Sequence, residues 1–195
     1  FLSIGAIFFQ FKILPGLLIS LGLLFYSRIA FILSLYGFYT AYLFYMILGG
    51  NIAELSYSYI GFNYILTAIA IGGFYLVPSK KTFLWLLILI PVVTMLTLSL
   101  AQVFSVFKLS IYSLPFNIVV LLFIYSLKFR LNPSDDLKEV LIQQNNPEKN
   151  LYSYQNQRIN NYHRNLIPFI LPFYGKWTVS QAHEGEFTHK EEWRH

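Results

Sequence analysis

The sequence predicts an all-α polytopic membrane protein, with about five apolar helices and one half-helix, followed by a soluble C-terminal tail of mixed helix and strand character. Three observations predict it. Residues 1–126 carry only six charged side chains: Lys12, Arg28, Glu54, Lys80, Lys81 and Lys108. Residues 127–195 carry nine Lys or Arg and eight Asp or Glu, so the mean hydropathy of +0.53 averages two unlike segments. The apolar runs of the first part approach the roughly 20 residues that one helical crossing needs, whereas the tail has no such run.

The elements follow in order. Residues 2–11 are apolar but too short to span, and Lys12 and Pro15 come next. Such a piece reads as a half-helix or re-entrant segment, which is stable at membrane depth only when packed in protein or lining a cavity. Residues 14–26 form a short apolar stretch that stops at Ser27 and Arg28. Residues 29–48 make a full span ended by Gly49 and Gly50. A polar connector with Asn51 and Glu54 leads to residues 59–77, apolar apart from Asn63 and Thr67, and closed by Pro78, Ser79, Lys80 and Lys81. Residues 83–104 are a clean span. The last stretch, 111–129, is expected to be interrupted at Pro115 and ends on Lys128 and Arg130.

If these segments alternate across the bilayer, Arg28, Lys80, Lys81, Lys128 and Arg130 share one side, with Lys108 and Glu54 on the other. The positive-inside rule makes the first side cytoplasmic. In the tail, Leu131-Asn132-Pro133-Ser134-Asp135-Asp136 reads as a turn and helix start, with Ser or Asp capping a short helix over 137–143. Residues 143–162, rich in Asn and Gln, read as a linker. Residues 166–173 contain two prolines and suit an extended edge strand, and Trp177-Thr178-Val179-Ser180-Gln181 alternates as a strand does. The domains expected are therefore a membrane domain over 1–130, a polar linker with a short helix over 131–165, and a β segment over 166–195.

Composition narrows function. The net charge of +5 is scattered over segment ends and a mixed-charge tail with no basic stripe, so nucleic acid is not an expected partner. There is no cysteine, which excludes disulfides and thiolate metal sites. The chain starts at Phe1 inside an apolar run, with neither an initiator Met nor a basic leader, and is expected to be a piece of a longer protein. Proton- or ion-coupled transport usually needs ionisable groups within the membrane. Glu54 is the only acid of the apolar part and lies in a connector, which favours a neutral solute. Asn63 and Thr67 in one helix, and Ser113 and Asn117 around Pro115 in another, either bond neighbouring helices together or mark broken helices whose freed backbone groups face a solute. Aromatic residues are 19% of the chain, most of them expected at lipid or the interface. A few paired rings would form a slot suited to a flat, uncharged amide.

Gly61-Phe62-Asn63-Tyr64-Ile65-Leu66-Thr67-Ala68-Ile69-Ala70 resembles the "GFN…LTGIAL" segment of urea transporters, and Ser113-Leu114-Pro115-Phe116-Asn117 resembles their "TxPFN" segment at a matching distance. Gly5-Ala6-Ile7-Phe8-Phe9 and Leu14-Pro15-Gly16-Leu17-Leu18-Ile19 resemble the family's pore half-helix and the helix start after it. The resemblance runs in order over about residues 2–130. It implies a fold of two inverted repeats, of which this chain would be most of the second, and homotrimers in a bacterial inner (cytoplasmic) membrane. It implies passive conduction of urea or a similar small neutral amide, without a cofactor. Phe9 and Phe62 would be slot aromatics, Leu66 a slot wall, and Ser113 the central hydroxyl in place of Thr. Ala6 departs from the family, which has Gln or Glu there.

Residues 171–181 and Gly185-Glu186-Phe187-Thr188-His189-Lys190 resemble the opening of lysostaphin-like zinc peptidase domains. That resemblance implies His189 as a first zinc ligand, with His195 a weaker one, and suggests a membrane-anchored metallopeptidase as the alternative function. A catalytic zinc needs about three protein ligands, so the segment as it stands is expected to be inactive and His183, His189 and His195 to be exposed polar residues. A third reading is a membrane subunit without a pore.

Overall fold

The segment that opens the chain coils for barely one turn. Helix α1 covers Leu2–Ala6 and closes in a Schellman motif: Gln10 N–H donates to the Gly5 carbonyl at 3.0 Å and Phe9 N–H to the Ala6 carbonyl at 3.0 Å. Phe9 holds the left-handed position of that motif (φ 57°), where glycine is usual. The computed structural model describes residues 1–10, 12–49, 61–130, 137–140 and 145–163, with side chains to 156. The chain divides into two units, Phe1–Asn160 and Asn161–His195, and the packing of the apolar helices belongs to the first.

Five apolar helices follow: α2 (Ile13–Tyr26), α3 (Arg28–Ile47), α4 (Gly61–Ile69, continued by a π-helical stretch Ala70–Tyr75), α5 (Lys80–Val106) and α6 (Leu114–Leu127). Two of them, α3 and α5, are long and apolar enough to cross a membrane. At 1.5 Å per residue they measure about 30 and 40 Å. The other three are apolar and shorter. Ser27 separates α2 from α3 as a single extended residue, and its Oγ accepts the Ala30 amide at 3.0 Å, capping α3. Ser79 does the same for α5 by accepting the Thr82 amide at 3.1 Å. Lys108, at φ 53°, ends α5 in a second Schellman motif, with Leu109 N–H reaching the Phe104 carbonyl.

Pro115 does not interrupt a helix. It lies in the first turn of α6, where the backbone has no intrahelical acceptor to lose, so it starts the helix instead. The interior proline is Pro91 of α5. Near it, Thr94 Oγ1 and Thr97 Oγ1 donate back to the Ile90 and Val93 carbonyls of the same helix.

Helix α4 is the centre. It packs against α1, α3, α5 and α6, and every residue of Gly61–Ile69 except Leu66 is buried. The closest partner is α3, whose inner face is a column of small residues: Ala30, Ser34, Gly37 and Ala41, all buried. Without a hydrophobic drive between helices in lipid, small residues allow the backbone approach that dispersion requires. A Cβ at Gly37 would stand 2.7 Å from both the Tyr64 carbonyl oxygen and Ala68 Cβ. Leu33, Tyr64, Ile65, Ile71, Leu86, Ile90 and Val93 fill the rest of the core. Leu17, Leu18, Leu84, Ile88, Leu121 and Leu122 stand exposed, as they would toward hydrocarbon.

The tail departs from its expected form. Residues 137–140 are extended, not a capped helix. Val77 N–H donates to the Lys138 carbonyl (2.9 Å) and Val140 N–H to the Tyr75 carbonyl (2.8 Å), around an antiparallel bridge between Leu76 and Glu139. The physical reason is that the chain leaves the π stretch extended at Leu76, so its backbone groups need partners, and the tail supplies them. The stretch expected as a linker contains helix α7 (Pro147–His163). Asn146 Oδ1 caps it by accepting the Lys149 amide at 3.0 Å. Asn150 Nδ2 donates to the Gly73 carbonyl at 3.0 Å, and Glu148 Oε1 accepts the Ile29 amide at 2.8 Å at the N-terminus of α3. The two expected strands, 166–173 and 177–181, lie outside the described residues, as do Asn51 and Glu54.

These contacts gather Arg28, Lys80, Lys81, Lys128 and Arg130 at one end of the helices. Arg130 bonds the Leu137 carbonyl (3.2 Å) and reaches Glu139 at 3.5 Å, while Lys108 lies at the opposite end of α5 from Lys80. Burial would raise the Glu148 carboxyl pKa, but hydrogen bonds from the Ile29 amide and the Ser27 side chain outweigh it, and the net shift is downward. A depressed carboxyl stabilises the fold fully above the ordinary range near pH 4, and that contribution is lost as pH falls through and below it. Protection of the Ile29 amide from hydrogen exchange, corrected for the intrinsic rate, is therefore expected to fall between about pH 5 and 3. In Glu148→Gln the pH dependence is expected to vanish; an unchanged profile in that variant would refute the assignment.

Candidate functional site

At the end away from the basic residues, three segments converge: the close of α1, the first turn of α4 and the turn entering α6. Asn63, in the first turn of α4, is fully buried and its Nδ2 donates to the Tyr112 carbonyl at 3.0 Å. That bond ties the central helix to the α5–α6 connection. Thr67, one turn on, donates its hydroxyl to the Asn63 carbonyl at 2.8 Å, so it is satisfied within its own helix. Tyr112 adopts φ 41° and presents an exposed ring, which meets the exposed Phe9 ring edge-to-face at 6.0 Å between centroids.

Ser113 is the residue before α6 and makes no capping bond to it. It is half-buried, and its Oγ accepts Asn117 Nδ2 at 3.3 Å. Phe62 precedes Asn63 and is buried, at 7% exposure. Leu66 lies four residues further along the same helix, hence on the same face as Phe62, and is half-buried. Ala6 is buried at the end of α1.

Of the four residues expected to line a slot, Phe9 meets the ring of Tyr112, which directly precedes Ser113 in the chain. Phe62 and Leu66 belong to the helix that Asn63 fastens to the same turn. Tyr112 was not among the expected residues; the one signal for it was an aromatic side chain directly before Ser113-Leu114-Pro115. The groups that these segments carry are rings, a hydroxyl, carboxamides and a backbone carbonyl. Such a set offers hydrogen-bond acceptors and flat apolar faces, and no charge. His189, His183 and His195 lie outside the described residues. Among the described residues, no three His, Asp or Glu side chains cluster as metal ligands.

A family model described as Urea transporter matches residues 1–128. The chain belongs to the urea transporter family. No curated protein matches it. Urea transporters are membrane-embedded channels, not enzymes, and need no cofactor. The match spans α1 to α6 and stops at the basic end of α6. Nothing in the comparisons supports the peptidase resemblance of residues 171–195.

Proposed function

We propose that this urea transporter domain conducts urea, or a similar small neutral amide, passively through a slot to which Phe9, Phe62, Leu66 and Ser113 contribute. The observation that carries the reading is the placement of charge. Within α2 to α6 the charged side chains are Arg28, Lys80 and Lys81, all exposed in first turns at the basic end. Coupling to protons or ions draws on ionisable groups inside the membrane, and these helices offer none there. A neutral solute needs only weak successive sites that it enters and leaves easily. The Ser113 hydroxyl supplies an acceptor for an amide N–H, and ring faces hold a planar solute by its faces. Ala6, buried and apolar, offers no acceptor, so the other repeat of the complete protein would have to supply one.

The basic end faces the cytoplasm in this reading, by the positive-inside rule, and the protein forms homotrimers as the family resemblance implies. The test is stopped-flow light scattering on proteoliposomes carrying the complete protein. Ser113→Val, which removes the hydroxyl and adds a methyl group, is expected to lower urea permeability roughly three- to tenfold, the equivalent of one lost hydrogen bond. Ser113→Thr is expected to retain it. Equal permeability in Ser113→Val and the parent protein would remove Ser113 from the conduction path.

A further inference from the structure

We infer that residues 137–140 and 146–150 form a latch on the basic end of α4: docked, they hold its π-helical stretch in the shape that conducts, and their release slows conduction. The inference rests on the channel reading above. The latch lies outside residues 1–128, the part of the chain that the family model matches. Its contacts fall on two helices. Val77 N–H donates to the Lys138 carbonyl and Val140 N–H to the Tyr75 carbonyl, on either side of the bridge between Leu76 and Glu139. Asn150, only 5% exposed, donates its Nδ2 to the Gly73 carbonyl within the π stretch. Glu148 accepts the Ile29 amide in the first turn of α3. One stretch of tail therefore ties the end of α4 to the start of the helix that packs closest to it.

The π stretch depends on that tie. The residue five on from Gly73 is Pro78, which has no N–H, and the Val77 amide four on is given to Lys138. Asn150 supplies the donor that the helix lacks, and an unmet buried carbonyl is costly. The fit is close, since a Cβ at Gly73 would stand 2.6 Å from Pro147 Cγ. Two adjacent glycines, Gly72 and Gly73, leave the backbone free to rewind once the tail departs. π-Helical turns are rare and often sit at functional sites. The side of α4 that carries Leu66 continues through Ala70 to Phe74, each half-buried and four residues from the last. Rewinding the end of α4 turns Phe74 relative to Leu66, so the latch acts along the side of the helix assigned to the slot.

The experiment measures urea permeability of the complete protein in proteoliposomes by stopped-flow light scattering. Asn150→Ala is expected to lower it roughly fivefold, the weight of one buried hydrogen bond, in protein that still melts above the assay temperature. The chain has no cysteine of its own, so Leu76→Cys with Glu139→Cys sets one thiol pair across the bridge. Facing residues of such a pair lie about 4.5–5.5 Å apart at Cα, a span that a disulfide closes. In the Asn150→Ala background, oxidising the pair is expected to restore permeability, and reducing it to bring the loss back in the same sample. Thiols that do not join would contradict the bridge and overturn the latch. Parent-like permeability in Asn150→Ala, or a loss that the closed disulfide leaves in place, overturns it too. Should the cysteine pair fail to fold, Gly73→Ala displaces Pro147 from inside α4 and is expected to lower permeability as Asn150→Ala does; parent-like flux there overturns the latch. All these outcomes leave the channel reading standing while the parent conducts urea; no flux in the folded parent overturns both.

Discussion

Replacing Gly37 by leucine is expected to separate α3 from α4, abolish transport and cost about 3 kcal/mol or more of stability. The helices meet where α3 shows its column of small residues, and the added side chain has nowhere to go. Even its Cβ would stand 2.7 Å from the Tyr64 carbonyl oxygen and 2.7 Å from Ala68 Cβ. Neither neighbour is the end of a flexible side chain. One is backbone and the other is a methyl fixed to a buried helix, so α4 as a whole has to move. Gly37→Ala is expected to show the same sign with a smaller magnitude. Gly22→Ala is the control, since no atom lies within 4 Å of a Cβ at that exposed position of α2. There the gain in helix propensity, up to about 1 kcal/mol, is expected to leave stability unchanged or slightly raised. Thermal melting in detergent reads both. Equal melting of Gly37→Leu and the parent would show that the close α3–α4 approach is not the packing of the folded protein.

Asn63→Leu is expected to cost about 1–3 kcal/mol, because it keeps the volume and leaves the Tyr112 carbonyl without its buried donor. The functional effect is expected to exceed what that loss of stability explains. Asn63 anchors the turn that carries Tyr112 and Ser113. Freed from α4, that turn no longer fixes the ring against Phe9 or the hydroxyl beside it. Urea permeability per folded protein is therefore expected to fall, although Asn63 itself is fully buried. Asn63→Asp discriminates a bond from a volume effect, since a carboxylate cannot donate to a carbonyl. A leucine variant that melts earlier yet conducts like the parent would reduce Asn63 to a structural residue.

The helices were legible because lipid-facing segments are nearly continuous apolar runs, bounded by charges and turn residues at Arg28, Gly49 and Lys80. Pro115 was misread for a definite reason. A proline inside an apolar run marks either a break or a first turn, and only the position of the preceding turn decides between them. The tail helix had its own signal in Asn145-Asn146-Pro147-Glu148: an N-cap asparagine, proline at the first helical position, then an acid. The Asn- and Gln-rich composition after it weighed the other way. What holds α7 is tertiary, through Asn150 on Gly73 and Glu148 on Ile29, at a sequence distance no local pattern reports. The extended residues 137–140 belong to the same class, since their partners are Tyr75 and Val77.

The candidate site was half legible. The family resemblance pointed to Phe9, Phe62, Leu66 and Ser113 by position. It did not reveal the burial of Phe62 or the contact of Tyr112 with Phe9. Left-handed backbone is signalled in sequence by glycine or asparagine, and at this site aromatic residues occupy it. Helix α4 also reads as one uniform apolar segment, although its end widens into a π-helical stretch that the tail then clasps.

Passive conduction is tested most directly by the urea permeability of the complete protein in proteoliposomes, measured by light scattering after a urea gradient at several proton gradients. Rapid urea flux is expected, saturating weakly at most and independent of the proton gradient. Folded protein that passes urea no faster than empty liposomes, or only with a proton gradient, would contradict a passive urea channel.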